Sequence, residues 1–220
     1  MSIADKLVEI AENIKKVYEA GKQSGDNYYD FFWDTFQTEG KKVSYLNTFA
    51  GNGWTDEIYN PKYPINATVG SSYLFHNNQK ITSTKVPITI SASGASVFNG
   101  CNALKEIPSI KVTASVNFGT WFNGCYSLET INFTEDEDCA IANNIDFSPC
   151  PLLTAKSIVS IVEALSDSAS EKTATFKQSA IDNAKFPVTS EKTGITYASW
   201  DALKATKTNW TFKNESGTVI

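Results

Sequence analysis

The sequence predicts a short α/β solenoid, a fold in which similar units of the chain stack on one another. The first observation is a period, since Phe75, Phe98, Phe122 and Phe147 follow one another at intervals of 23, 24 and 25 residues. The second is an aliphatic residue six positions after each of these phenylalanines. The third is that the sequence on both sides lacks the period, as expected for the caps that a repeat array needs.

The repeat has a recognisable core. Phe-Asn-Gly-Cys occurs at residues 98–101 and again at 122–125, and in both units a leucine and then an isoleucine follow at three-residue spacing. This period and spacing are typical of leucine-rich repeats, whose apolar residues are buried only when neighbouring units stack. The predicted repeat core consists of Phe75, Ile81, Phe98, Cys101, Leu104, Ile107, Phe122, Cys125, Leu128, Ile131, Phe147, Cys150 and Leu153.

Three of the four cysteines, Cys101, Cys125 and Cys150, occupy the same repeat position, so we predict small buried side chains. A disulfide between Cys101 and Cys125 is geometrically conceivable on adjacent units, but a reducing cytoplasm disfavours it. The sequence has no paired Cys-x-x-Cys spacing, so a zinc site is less favoured still.

The N-terminal segment, residues 1–25, is predicted to be an amphipathic helix. Its apolar residues alternate at spacings of four and three, which is the seam of a coiled coil, and β-branched residues at the d positions favour trimers or tetramers. The alternative is a helix that packs on its own domain, because the seam is short. The candidate oligomerisation residues are Ile3, Leu7, Ile10, Ile14 and Val17.

The remaining chain divides by composition. Residues 26–66 hold an aromatic N-terminal cap and a degenerate first repeat, residues 67–153 hold the repeats, and residues 154–220 form a C-terminal cap. Within that last segment the apolar spacing and strand propensity predict helices at 154–165, 179–184 and 199–206 and strands at 174–176 and 209–212.

Composition excludes several classes of protein. The formal net charge is −5 and all basic residues are lysine, which argues against nucleic-acid binding because arginine is favoured at phosphate sites. No segment approaches the about 20 apolar residues of a membrane span. The first residues carry acidic groups and lack the basic start and apolar run of a signal peptide.

The sequence offers little material for catalysis. His76 is the only histidine and lies in an asparagine-rich turn that is predicted to be exposed, and no nucleotide-binding or nucleophile motif occurs. The acidic run Glu135–Asp138 could hold calcium, but its spacing differs from an EF-hand loop and a solvated loop is favoured. We therefore expect a protein that is not an enzyme and has no cofactor or bound metal.

The run Phe-x-x-Cys-x-x-Leu-x-x-Ile, at Phe98–Ile107 and Phe122–Ile131, resembles the BspA-like class of leucine-rich repeats. That family occurs in bacterial surface adhesins and in phage or prophage proteins of gut bacteria. The flanks, including Gly53-Trp54-Thr55-Asp56 and Tyr197-Ala198-Ser199-Trp200-Asp201, are similar to its compact phage-encoded members.

The resemblance implies a phage virion structural protein, of the tail-fibre or receptor-binding type, that displays its repeats for host attachment. Its expected partners are other virion proteins and a host cell-surface protein or glycan, and its expected location is the virion. The alternatives are a capsid decoration or tail-scaffold protein, and an interaction module or adhesin of the bacterium itself, in its cytoplasm or at its surface. The ligand surface is expected on the strand side or on the exposed turns near His76 and the acidic run Glu135–Asp138.

Overall fold

The computed structural model describes residues 65–67, 71–91, 94–113, 116–134, 139–169 and 171–220. Three predictions from the sequence lie outside these residues. They are the oligomerisation helix with Ile3, Leu7, Ile10, Ile14 and Val17, nearly all of the aromatic cap and degenerate first repeat, and the acidic run Glu135–Asp138.

The first sheet is parallel, and its strands follow the chain in the order β1-β2-β3-β4. The strands are β1 (Ile65–Ala67), β2 (Ile88–Ile90), β3 (Glu106–Val112) and β4 (Thr130–Phe133). Their register places Ile65 beside Ile88, Ile88 beside Ile110 and Ile110 beside Phe133. All four of these side chains are buried. Equivalent positions of successive units therefore fill one column of the core.

The phenylalanines of the repeat form a second column inside the protein. Phe75 stacks on Phe98 with ring centroids 5.1 Å apart, Phe98 on Phe122 at 5.9 Å, and Phe122 on Phe147 at 4.3 Å. The column continues to Phe176, 6.1 Å from Phe147, which the sequence analysis did not include. The near-parallel rings form one continuous column through the core of the described residues.

The residue before each of the first three repeat phenylalanines is also part of the core, whereas Asp146, before Phe147, is exposed. Leu74, Val97 and Trp121 are fully buried. The indole N–H of Trp121 donates to the carbonyl of Gly94 at 2.5 Å, so its polar atom is paired inside the core. The first three units thus bury two adjacent side chains at this turn.

A second parallel sheet, in the order β5-β6-β9, carries the stack into the C-terminal part of the chain. Its strands are β5 (Ile145–Phe147), β6 (Lys172–Phe176) and β9 (Trp210–Asn214). The outer strand β9 is covered by residues 218–220, because Asn214 N–H donates to Thr218 at 2.8 Å and Ile220 N–H donates to Phe212 at 3.1 Å. Covering an edge in this way removes a template for strand pairing with other chains.

Helix α1 (Ala155–Ala164) closes the edge of the first sheet. Among the described residues no strand pairs with β4 on the side away from β3, so its N–H groups there need other partners. The hydroxyl of Ser157 accepts from Ile131 N–H at 3.1 Å, and that of Ser160 accepts from Phe133 N–H at 2.8 Å. Two serines one helical turn apart therefore replace the missing strand.

The rest of the C-terminal segment packs around this helix and the second sheet. It contains α2 (Gln178–Asn183), the antiparallel pair β7 (Val188–Thr189) and β8 (Thr196–Tyr197), and α3 (Trp200–Lys204). The helices and strands predicted for residues 154–220 coincide with α1, β6, α2, α3 and β9 within a few residues at each end. The β7–β8 pair was not predicted.

The described residues thus form a mixed α/β fold with parallel sheets and no closed barrel. Within this part of the chain, none of the helices has the length and apolar character that crossing a membrane requires.

Candidate binding surface

The strand groove is the first candidate surface. We use this name for the cleft between β3, β4, α1 and residues 188–192, which has a volume of about 170 Å³. Its polar side chains include Glu106 and Asn132 from the sheet and Lys156 and Glu163 from the helix. Such a cleft on the strand side matches one of the two ligand surfaces expected from the sequence.

Most of these polar groups are already paired with each other. The carboxylate of Glu163 accepts hydrogen bonds from the hydroxyls of Ser190 at 2.7 Å, Thr193 at 2.9 Å and Tyr197 at 2.9 Å. Lys156 forms an ion pair with Glu191 at 2.8 Å. These contacts join helix α1 to residues 190–197. The polar side chains of the groove therefore hold the C-terminal segment in place and are not free to bind a ligand.

The hydrogen bond between Tyr197 and Glu163 makes the contact between helix α1 and the C-terminal segment sensitive to alkaline pH. Burial, and then the hydrogen bond and charge of Glu163, raise the pKa of Tyr197 from 10.0 to about 12. The neutral phenol therefore contributes stability below pH 10, and that contribution is lost as the pH rises to about 12. We expect the free energy of unfolding to fall more steeply across this range in the wild type than in Tyr197→Phe.

Chemical denaturation at a series of alkaline pH values measures this slope. Tyr126→Phe is the matched control, because Tyr126 is 62% exposed and away from Glu163. It should keep the wild-type slope. Equal slopes for Tyr197→Phe and the wild type would show that Tyr197 ionises alike in the folded and unfolded chains.

The second candidate surface consists of the turns that follow the repeat phenylalanines. Their backbones are bonded to one another from unit to unit, since Asn77 N–H donates to Asn99 C=O and Gly100 N–H donates to Asn123 C=O, both at 2.7 Å. Gly100 and Gly124 adopt positive φ angles, and Asn77 has the same conformation in the earlier unit. The turns therefore stack in register along one side of the protein.

Several side chains of these turns line one shared surface, which we call the turn ridge. None of the residues that line it carries a charge. Within the described residues, its four carboxamides make no hydrogen bond to another protein group. Tyr126 stands among them with 62% of its surface exposed. The ridge consists of Gln79, Asn99, Asn102, Asn123 and Tyr126, with Gly100, Gly124 and Pro149 between them.

The two surfaces therefore differ in what they offer a ligand. A carboxamide has two N–H donors and a carbonyl acceptor. In the ridge Gln79, Asn102 and Asn123 are exposed and Asn99 is half-buried, and within the described residues none of them is paired with another protein group. In the strand groove the polar side chains of Glu163 and Lys156 are instead paired with other groups of the protein. The ridge is the better candidate for binding. The sequence contains its signal, a polar residue one and four positions after each of Phe75, Phe98 and Phe122, and the exposed turns were one of the two places where a ligand surface was predicted.

His76 also lies in these turns, but it does not line the ridge. It is half-buried rather than exposed as the sequence suggested, because its ring packs edge-on against Tyr73 with centroids 5.2 Å apart. Within the described part of the chain, no group of three or more His, Cys, Asp or Glu side chains is placed to hold a metal ion.

The predicted repeat core lies inside the protein and not at either surface. All thirteen of its residues are buried, with 4% or less of each exposed. The cysteines are free thiols, and those of Cys101 and Cys125 donate to the carbonyls of Phe75 at 3.0 Å and Phe98 at 3.2 Å in the preceding units. Asn78 takes the cysteine's place in the first unit, where its side-chain oxygen accepts from Ile81 N–H at 3.1 Å.

Burial makes these thiols unreactive. It raises the pKa of Cys101 to about 12, and it also raises the pKa values of Cys125 and Cys150. Because the thiolate is the nucleophile, we expect these three thiols not to react with a disulfide reagent such as DTNB in the native protein at neutral pH. All three should react once denaturant is added. Reaction of Cys101, Cys125 or Cys150 within minutes in the native protein would contradict this packing.

Comparison with known proteins gives no relative. No family model, no curated protein and no solved structure matches this chain. The function must therefore be argued from the residues themselves.

Proposed function

We propose that the protein is a non-enzymatic attachment protein whose stacked units form a short leucine-rich repeat solenoid. In this proposal it belongs to a phage virion, as a tail-fibre or receptor-binding component, and it attaches to a bacterial host. The observation that carries the proposal is the turn ridge. Successive units there present unpaired, uncharged side chains and an exposed aromatic ring on one side of a well-packed core.

The affinity of one such surface is expected to be low. The residues of the turn ridge line an open depression rather than a deep pocket, so this surface buries only part of any ligand. Linking several weak sites makes each later binding event intramolecular and can raise the net affinity by about 10²- to 10⁴-fold. The coiled-coil seam that the sequence predicts for residues 1–25 would supply a means of gathering copies. We propose a homo-oligomer, with a trimer favoured, that binds through several ridges together.

Adsorption to cells tests the attachment function. Fluorescently labelled full chain is mixed with a panel of intact gut bacteria, and the bound fraction is compared with that of an unrelated protein of the same net charge. We expect saturable adsorption to some strains and none to others. Adsorption to no strain would overturn host attachment. Co-sedimentation with phage capsids or tails instead would favour the decoration or tail-scaffold alternative.

A further inference from the structure

We propose that the turn ridge binds a linear, uncharged oligosaccharide. This inference rests on the attachment function proposed above and names the chemical class of its ligand. It follows from three features of the ridge: the free carboxamides, the exposed ring of Tyr126 and the repetition of the turns along the stack.

The carboxamides match the hydrogen-bonding groups of a sugar. Each hydroxyl of a sugar both donates and accepts, and a carboxamide offers both functions side by side. Asn99, Asn102 and Asn123 present these groups without internal partners within the described residues. Binding them therefore breaks no bond inside the protein, and only water has to be displaced.

Tyr126 supplies the apolar part of the contact. The ring is rigid and is the one aromatic side chain in the ridge lining. A sugar ring has an apolar C–H face that can lie against an aromatic ring, while its edge hydroxyls reach neighbouring polar groups. A tyrosine beside asparagines combines a rigid contact area with adaptable hydrogen bonding at low entropic cost.

The composition of the ridge disfavours other ligands. A protein interface of useful affinity has a fully buried apolar centre, and the ridge has a single aromatic side chain among carboxamides and glycines. A nucleic acid or an acidic polysaccharide requires cations, and none of the lining residues is charged. A neutral hydroxyl-rich ligand is the class that remains.

The repetition of the turns favours a chain of sugars over a single one. Asn99 and Asn123 occupy equivalent positions in adjacent units whose backbones are hydrogen-bonded. The N–H of Gly100, next to Asn99, donates to the carbonyl of Asn123 at 2.7 Å, so these two carboxamides lie on neighbouring turns. A linear oligosaccharide can contact several turns, whereas a monosaccharide reaches one.

An array of immobilised oligosaccharides, neutral and acidic, tests the ligand class with the full chain. We expect binding to one or more neutral oligosaccharides. Tyr126→Ala and Asn123→Ala should each weaken that binding about tenfold or more. Asn183→Ala is the matched control, since Asn183 is an exposed carboxamide on α2, outside the ridge lining, and it should bind as the wild type does. Melting temperatures confirm that all three variants are folded.

Binding only to acidic oligosaccharides, or equal binding by Tyr126→Ala and the wild type, would overturn the proposal. Cell adsorption separates its failure from that of the attachment function. Periodate oxidation of the cells should abolish adsorption if the ligand is a sugar. Adsorption that survives periodate but is lost after protease treatment would retain attachment and replace the oligosaccharide with a protein. Failure to adsorb to any cell would instead overturn attachment itself.

Discussion

Replacing Phe122 with alanine is expected to lower the free energy of unfolding by about 3–5 kcal/mol. Phe122 is buried between two other rings of the phenylalanine column, with centroids 5.9 Å from Phe98 and 4.3 Å from Phe147. Removing the ring leaves a cavity that both neighbours line, and in a close-packed core those lost contacts are not recovered. The loss would be a large part of the stability of an ordinary domain.

Denaturant titration followed by tryptophan fluorescence measures this change. Tyr126→Ala is the control in the same turn, because its exposed ring should contribute within about 0.5 kcal/mol. A cost below about 1 kcal/mol for Phe122→Ala would contradict a stack in which each ring is buried by its neighbours.

Replacing Gly124 with alanine is expected to cost about 3 kcal/mol, from backbone strain and overpacking together. Gly124 has a φ of +79°, and a Cβ built on it lies 3.1 Å from the Cα of Gly100 in the preceding unit. That neighbour is backbone and cannot swing aside. The methyl group of the alanine would therefore push apart the turns that contain Gly100 and Gly124.

Gly217→Ala separates the two contributions. Gly217 has nearly the same φ of +80°, but nothing lies within 4 Å of its added Cβ. This substitution should cost only the strain of a left-handed residue, about 1–2 kcal/mol. Denaturant titration of both variants gives the difference, which is the contribution of close packing between turns. Equal costs would mean that the turns can move apart freely.

The phenylalanines that recur in the sequence at near-constant spacing are buried together in the structure. Phe98 and Phe122 recur within identical Phe-Asn-Gly-Cys runs, and side chains repeated in this way can only be buried by the neighbouring unit. Phe176 belongs to the same column but was missed, because it lies 29 residues after Phe147 and helix α1 intervenes. The period fails where the repeat gives way to the C-terminal segment.

The closure of the sheet edge could not be predicted from the sequence. The amphipathic pattern of residues 154–165 predicts a helix, but it does not show that Ser157 and Ser160 accept hydrogen bonds from β4. The same holds for Glu163, whose three hydroxyl partners lie 27 to 34 residues further along the chain. Polar pairing over such separations depends on the completed fold.

The turn ridge could be predicted from the sequence in part, unlike the closure of the sheet edge. Its residues are visible in the sequence as polar positions beside each phenylalanine, and Asn-Gly indicates a turn. What the sequence does not show is that the backbones of these turns bond to each other, or that the side chains of Asn99 and Asn123 have no hydrogen-bond partner among the described residues. Recognising a candidate site of this kind requires both the repeat in the sequence and the hydrogen bonds seen in the structure.

Attachment through many weak sites requires that several copies assemble, so the molar mass of the full chain in solution is the most direct test of the proposed mechanism. Light scattering at micromolar concentration should give about three times the 24.1 kDa of one chain. A mass of one chain would contradict multivalent attachment, and each ridge would then have to bind tightly alone.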